Sequence, residues 1–380
     1  MTRRERLMAT LRGEPVDRPA VSFYEIGGFS PNPDDPNEFN IYNDPSWRPL
    51  LQLAEEKTDV MRMCGPAVTN APNNCRSEYF TTDQYVENGS LFTRTTLKVA
   101  GRIMTSIARR DPAVDTTWSL EHLLKDVDDL KAYLQLPDEI FAFNVDLSHL
   151  PKIDEALGDK GILLMESGDP ICNAAPLFSM EDYLIVALTE PALFHALLEK
   201  FSRYLHPLTE IVARDFPGHL WRICGPEYAT EPYLPPKLFN EYVVKYTGPM
   251  VKMVAKYGGY PRIHCHGRIK NNLDAIDGMG AAGLDPIEPP GQGDVELSYV
   301  RQKYGKDIVL FGNIEASDLE NMDNSEFEKV VEKALREGTE GEGRGYILHP
   351  SSCPYGRKIS AKTMKNYEIM VRQAENWGRV

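Results

Sequence analysis

The sequence predicts an α/β chain folded as a (β/α)8 TIM barrel, on three observations. Eight short apolar stretches read as strands, and most are followed by a stretch with helical spacing of its apolar residues. Parallel strands need such crossovers, and eight alternating units is the barrel count. No G-x-G-x-x-G follows any strand, which removes the main support for a nucleotide-binding, doubly wound sheet.

The elements follow in order. Leu7 and Leu11 lie one helical turn apart among charges, so residues 2–12 read as an amphipathic helix stopped by Gly13-Glu14-Pro15. Pro19–Glu25 reads as the first strand, 46–57 as a helix and Val60–Cys64 as the second strand, closed by Gly65-Pro66. The rhythm then breaks. Alternating segments around residues 79–82 and 90–99, split by Asn88-Gly89, read as an antiparallel hairpin, with a helix near 119–134. Residues 67–160 are therefore an insertion between strands 2 and 3, and residues 1–380 form a single domain, since no linker composition separates the two parts.

From Gly161 the pattern is regular. Strands at Gly161–Glu166, Leu220–Cys224, Arg262–His266, Gly283–Glu288, Asp307–Phe311 and Gly345–His349 precede helices near 179–215, 236–257, 268–279, 294–304, 325–337 and 360–377.

Composition excludes some functions. Charged residues make up 26% of the chain and the net charge is -14, which argues against nucleic acid and anionic membrane as partners. No apolar run reaches the ~18 residues that span a bilayer, and no signal-peptide core follows the basic start. The six cysteines show no C-x-x-C pair and read as reduced thiols, so a cytoplasmic location is expected.

Chemistry concentrates at Pro261-Arg262-Ile263-His264-Cys265-His266-Gly267. In a strand the side-chain period of two puts His264 and His266 on one face and turns Cys265 toward the helices. Barrel enzymes build their sites at the carboxyl ends of the strands. Residues at those ends include Glu25, Glu166 with Asp169, Glu227, the two histidines, Glu288, Asn313 with Glu315, and Cys353. His264, His266 and Cys353 with a carboxylate from Glu227 or Glu288 would supply a Zn2+ site, the mixed donors disfavouring Mg2+ and Ca2+.

The chain resembles the uroporphyrinogen decarboxylase superfamily, which includes zinc-dependent methyltransferases working with corrinoid proteins. The resemblance rests on Arg4-Glu5-Arg6 through Leu11-Arg12-Gly13-Glu14-Pro15-Val16-Asp17-Arg18-Pro19, the histidine strand, Gly312-Asn313-Ile314-Glu315 and Asn366-Tyr367. The true decarboxylases carry arginines after the first strand, whereas Tyr24-Glu25-Ile26-Gly27-Gly28-Phe29 has none. The methyltransferase branch is similar in its His-x-Cys-Gly strand and later cysteine, matched here by His264, Gly267 and Cys353 with the imidazole of His266 replacing the strand's thiolate, and Glu288 resembles its carboxylate.

That branch implies a zinc-dependent methyltransferase acting on a small methylated compound, most simply an O-methyl ether. The acceptor would be the corrinoid of a separate protein, and self-association into a homodimer is allowed. Glu25, Glu166 or Tyr228 would orient or protonate the leaving group. Two other readings stand beside it. One is a metal-free decarboxylase or lyase whose mouth is lined by Arg62, Arg222, Arg262 and Arg357. The other is a non-catalytic relative that binds a tetrapyrrole.

Overall fold

The computed structural model describes residues 1–377. Eight parallel strands, Ala20–Val21 (β1), Val60–Cys64 (β2), Gly161–Gly168 (β3), Leu220–Cys224 (β4), Tyr260–His264 (β5), Gly283–Asp285 (β6), Val309–Ile314 (β7) and Tyr346–Pro350 (β8), pair in the order β1-β8-β7-β6-β5-β4-β3-β2. This is the TIM-barrel arrangement. Its seam falls between β1 and β2, where Asp59 joins the two ends. The Asp59 N–H donates to the Val21 carbonyl at 2.7 Å, and its carboxylate accepts the Val21 N–H at 2.9 Å.

The N-terminal helix, Arg3–Arg12, begins with a capping box in which the Thr2 and Glu5 side chains satisfy each other's backbone N–H groups. It sets Leu7 and Leu11 against Met61, Leu164, Leu220, Val309 and Ile347, residues on the inward parity of five different strands. The same helix sends Arg6 to Asp59 at 2.6 Å, and Arg18 reaches the other carboxylate oxygen at 2.8 Å.

Several boundaries differ from the sequence expectation. The first strand stops at Val21 because Tyr24 takes φ 57°, and a short turn of helix, Glu25–Gly28, follows. The fifth strand ends at His264, with His266 in the turn before Gly267 (φ 80°). The stretch near 119–134 is not one helix. Thr117–Glu121 is the fourth strand of an antiparallel sheet with Phe80–Glu87, Ser90–Val99 and Arg102–Arg110, and only Val127–Tyr133 is helical, capped by Asp126.

The hairpin turn at Asn88-Gly89 is present, with φ values of 50° and 78° that suit these residue types. Contacts such as Asp115 N–H to the Tyr355 carbonyl (2.8 Å) and Leu124 N–H to the Leu177 carbonyl (2.8 Å) tie the inserted sheet to loops after β8 and β3, on the carboxyl side of the barrel. Among the described residues no single helix is long and apolar enough to cross a membrane.

Candidate active site

Strand parity builds the site. Inward positions near the N-terminal end of the barrel carry apolar side chains. Continuing along the same parity gives Glu166 on β3, Arg222 on β4, Arg262 and His264 on β5, Asp285 on β6 and His349 on β8, the last five buried. A polar layer therefore lies directly on an apolar one.

Within that layer Asp285 is the hub. Its Oδ2 accepts the His264 Nδ1–H at 2.8 Å, and its Oδ1 faces the Arg262 Nε at 3.0 Å. Burial opposes the Asp285 charge, but Arg262 and His264 hold the carboxyl well below its usual range. The other His264 nitrogen, Nε2, accepts from Arg222 Nη2 at 3.1 Å and lies 3.3 Å from the Tyr24 hydroxyl. A guanidinium can only donate, so Nε2 carries the lone pair and Nδ1 the proton. Burial drives His264 down to about 3, keeping it neutral. Arg222 also donates to Glu166 at 2.7 Å and to the Tyr24 hydroxyl.

Above this layer lies the rim. His266 Nδ1 and the Gly267 N–H both bond to Glu288, at 2.8 and 2.6 Å, and the His266 ring stands perpendicular to His264 at 4.6 Å between centroids. Burial opposes the charge of each partner, yet pairing raises the His266 pKa and lowers that of Glu288. The Glu227 carboxylate accepts the N–H of Gly225 at 3.1 Å, and burial pushes its pKa up. Tyr228 is likewise pushed up to about 12 by burial. The Cys353 thiol donates to Glu25 Oε2 at 3.0 Å, and burial raises both groups. Glu315 is 8% exposed with Oε1 buried and unpartnered, and burial together with the Glu288 charge raises it to about 7.

The expected zinc ligands are thus brought to one end of the barrel without being gathered around one point. His264 is turned to Arg222, His266 to Glu288, Cys353 to Glu25 and Glu227 to its own turn. Among the described residues no three His, Cys, Asp or Glu side chains are placed to hold a metal ion together. A cation at His264 Nε2 would also meet the Arg222 guanidinium, already 3.1 Å away. This arrangement does not fit Zn2+ at His264.

Residues 116–367 match the model of the uroporphyrinogen decarboxylase (URO-D) family. The chain belongs to this family. No curated protein matches the sequence. A methyltransferase from Methanosarcina mazei has the same fold, with a TM-score of 0.58 at 13% identity over 99% of this chain and 99% of that one. Weaker similarity extends to a D-psicose 3-epimerase (TM-score 0.36, 10% identity, 66% of this chain and 86% of that chain). A Bacillus subtilis mannanase is similar at TM-score 0.40 and 11% identity, over 97% of this chain and 88% of that one.

In this URO-D chain three of the four arginines expected to grip a carboxylated substrate are hydrogen-bonded within the fold, and the fourth, Arg262, has its ion pair with Asp285 as its only polar contact. Arg62 bonds Glu55 and Ser30, Arg262 is fully buried against Asp285, and Arg357 bonds Asn43 and the Pro112 carbonyl. Arg222, expected only as a mouth arginine of the decarboxylase alternative, joins Asp285 and Tyr24, neither of which was among the expected site residues. The period-two parity running back from His264 to Arg262, applied to the neighbouring strands, would have found Arg222 and Asp285. Cys265 faces the helices as expected, packed in the cluster that holds Ile263 and Leu273.

The buried histidines set an acid limit on stability. Burial, followed by the Arg262 charge, drives His349 to about 3, as burial does His264. An unfolded histidine titrates near ~6.5. Between those values the unfolded chain takes up protons that the folded chain refuses, so these groups make stability fall as pH drops from ~6.5 toward ~3. His349→Asn is expected to flatten that slope relative to wild type in thermal unfolding measured at successive pH values. Equal slopes would show that His349 is protonated in the fold.

Proposed function

We propose that this chain is a methyltransferase that moves a methyl group from a small methylated compound, most simply an O-methyl ether, to the corrinoid of a partner protein. The observation that carries the reading is the Glu25–Cys353 pair at the mouth, 3.0 Å apart, in the place where a porphyrinogen decarboxylase would need free arginines. A carboxyl group there offers a polycarboxylate substrate no cationic partner but can protonate the oxygen that a departing methyl group leaves behind. The likeness to the Methanosarcina mazei methyltransferase, whose length this chain matches almost fully, supports the same direction.

The corrinoid would supply the nucleophile. This chain's residues would do the rest. As the C–O bond breaks, negative charge grows on the donor oxygen, and Glu25, whose pKa burial raises, transfers a proton there from its acid form. The Cys353 thiol donates to Oε2 and so leaves Glu25 one oxygen for the proton. Arg222 holds Glu166 at 2.7 Å, which makes Glu166 a positioning residue.

The test is reconstitution with a Co(I) corrinoid and a panel of O-methyl, N-methyl and S-methyl donors, followed by loss of Co(I) absorbance. Turnover with an O-methyl donor is expected. Failure with the whole panel, together with carbon dioxide release from carboxylated substrates, would replace this reading by a decarboxylase. Metal analysis of the same preparation addresses zinc, which family resemblance implies. Stoichiometric zinc that is lost in His264→Ala would mean that the His264–Arg222 contact opens when metal binds, whereas full activity without metal would remove zinc from the reading.

A further inference from the structure

Two thiols on the rim take no part in the chemistry above. Cys172 lies in the short helix Pro170–Ala174 after β3, and Cys224 is the last residue of β4. Asp169 holds the backbones of both. Its N–H donates to the Cys224 carbonyl at 2.8 Å, and its Oδ1 accepts the Cys172 N–H at 2.8 Å. Asp169 is itself fully buried, its Oδ2 fixed by the Thr247 hydroxyl at 2.7 Å.

Two glycines make room for the approach. Cys224 pairs with Gly168 across the sheet, and a Cβ on Gly168 would stand 3.3 Å from the Cys172 Sγ. A Cβ on Gly225 would stand 2.5 Å from the Cys172 Cβ, closer than real carbons approach. Gly225 also has φ 126°, a conformation other residues rarely adopt. With the backbones held and the space cleared, both sulfurs converge on the end of β3: the Cys224 thiol donates to the Ser167 carbonyl at 3.6 Å, beside the Gly168 position that the Cys172 Sγ approaches, and neither residue is fully buried.

We infer that Cys172 and Cys224 form a reversible disulfide, a modification site on the rim of the barrel mouth. The oxidant is a low-molecular-weight disulfide. One cysteine thiolate attacks it, its S–S bond breaks and one small thiol leaves. The second cysteine thiolate then attacks the protein-side sulfur and releases the other small thiol. The two cysteines lose two electrons, and their two protons end on the two released thiols. Holding both sulfurs in place raises the effective concentration for the second step far above that of a free thiol. The neighbouring Cys224 thiol and burial raise the Cys172 pKa, so exchange accelerates as pH rises. The bond would tie the helix after β3 to the end of β4, immediately before the turn carrying Glu227 and Tyr228.

The test uses the full reduced chain, treated with glutathione disulfide at mildly alkaline pH, then denatured and alkylated. Expected are a mass lower by two hydrogens before alkylation, four of the six cysteines alkylated, a joined Cys172–Cys224 peptide, and full reversal by dithiothreitol. Cys172→Ser and Cys224→Ser should each abolish the cross-link. Six alkylated cysteines after oxidation, glutathione adducts alone, or a bond between other cysteines would overturn the assignment. The wild-type peptide map decides even where a serine variant does not fold, and its result is independent of any methyl-transfer activity.

Discussion

Asp59→Asn is expected to destabilise the fold by about 3–5 kcal/mol, the range found when one member of a buried, hydrogen-bonded charge group is removed. Asp59 is fully buried and its two oxygens serve three donors: Arg6 at 2.6 Å, Arg18 at 2.8 Å and the Val21 N–H at 2.9 Å. Asparagine keeps the shape but supplies no charge, and its amide group points two donors at groups that also donate. Arg6 would retain Asp17, whereas buried Arg18 would keep only the Pro19 carbonyl. The loss also falls at the one seam of the barrel not closed by a strand ladder.

Urea unfolding of the variant and of Asp154→Asn provides the comparison. Asp154 makes a partly exposed pair with Arg4 at 2.7 Å, and such pairs contribute about 0–1 kcal/mol. Equal losses in the two variants would mean that Asp59 is not the seam's keystone.

Glu25→Gln is expected to lower kcat for methyl transfer by about 10²- to 10⁴-fold, the usual contribution of a positioned general acid. The fold should be unchanged, since glutamine can still accept from the Cys353 thiol. The pH profile separates proton donation from mere positioning. Burial raises the Glu25 pKa, the acid form is the active one, and so the rate should fall as pH rises through that pKa. In Glu25→Gln that alkaline limb should vanish along with the activity. Full activity with an unaltered profile would assign the proton to another group. Glu315, buried with an unpartnered oxygen and raised to about 7, would then be the first to examine, through Glu315→Gln.

The barrel was legible in the chain because its signals are local. Val60–Cys64, Leu220–Cys224 and the helix at 236–257 announce themselves by apolar spacing within a dozen residues. Where a backbone conformation depends on distant packing, local spacing does not predict it. Tyr24 adopts φ 57° and its hydroxyl lies between Arg222 and His264, contacts that hydropathy does not encode. The inserted stretch at 119–121 has helix-compatible spacing but joins Arg102–Arg110 as a fourth strand, since an edge was available for pairing.

The candidate site divides in the same way. Its residue types, two histidines with a surplus of carboxylates at strand ends, were identified from order and parity alone. Their partners were not.

By itself the sequence determined the eightfold alternation, the inserted segment, the family motifs and which side chains share the inward face of each strand, because these follow from periods of 3.6 and 2 along a single segment. Tertiary structure alone decided that His264 sits between Asp285 and Arg222, that Cys353 pairs with Glu25 and that Asp59 closes the seam. Those choices depend on lateral neighbours 21, 42, 328 and 38 positions away, and the curvature and register of the closed sheet, not local spacing, place them face to face.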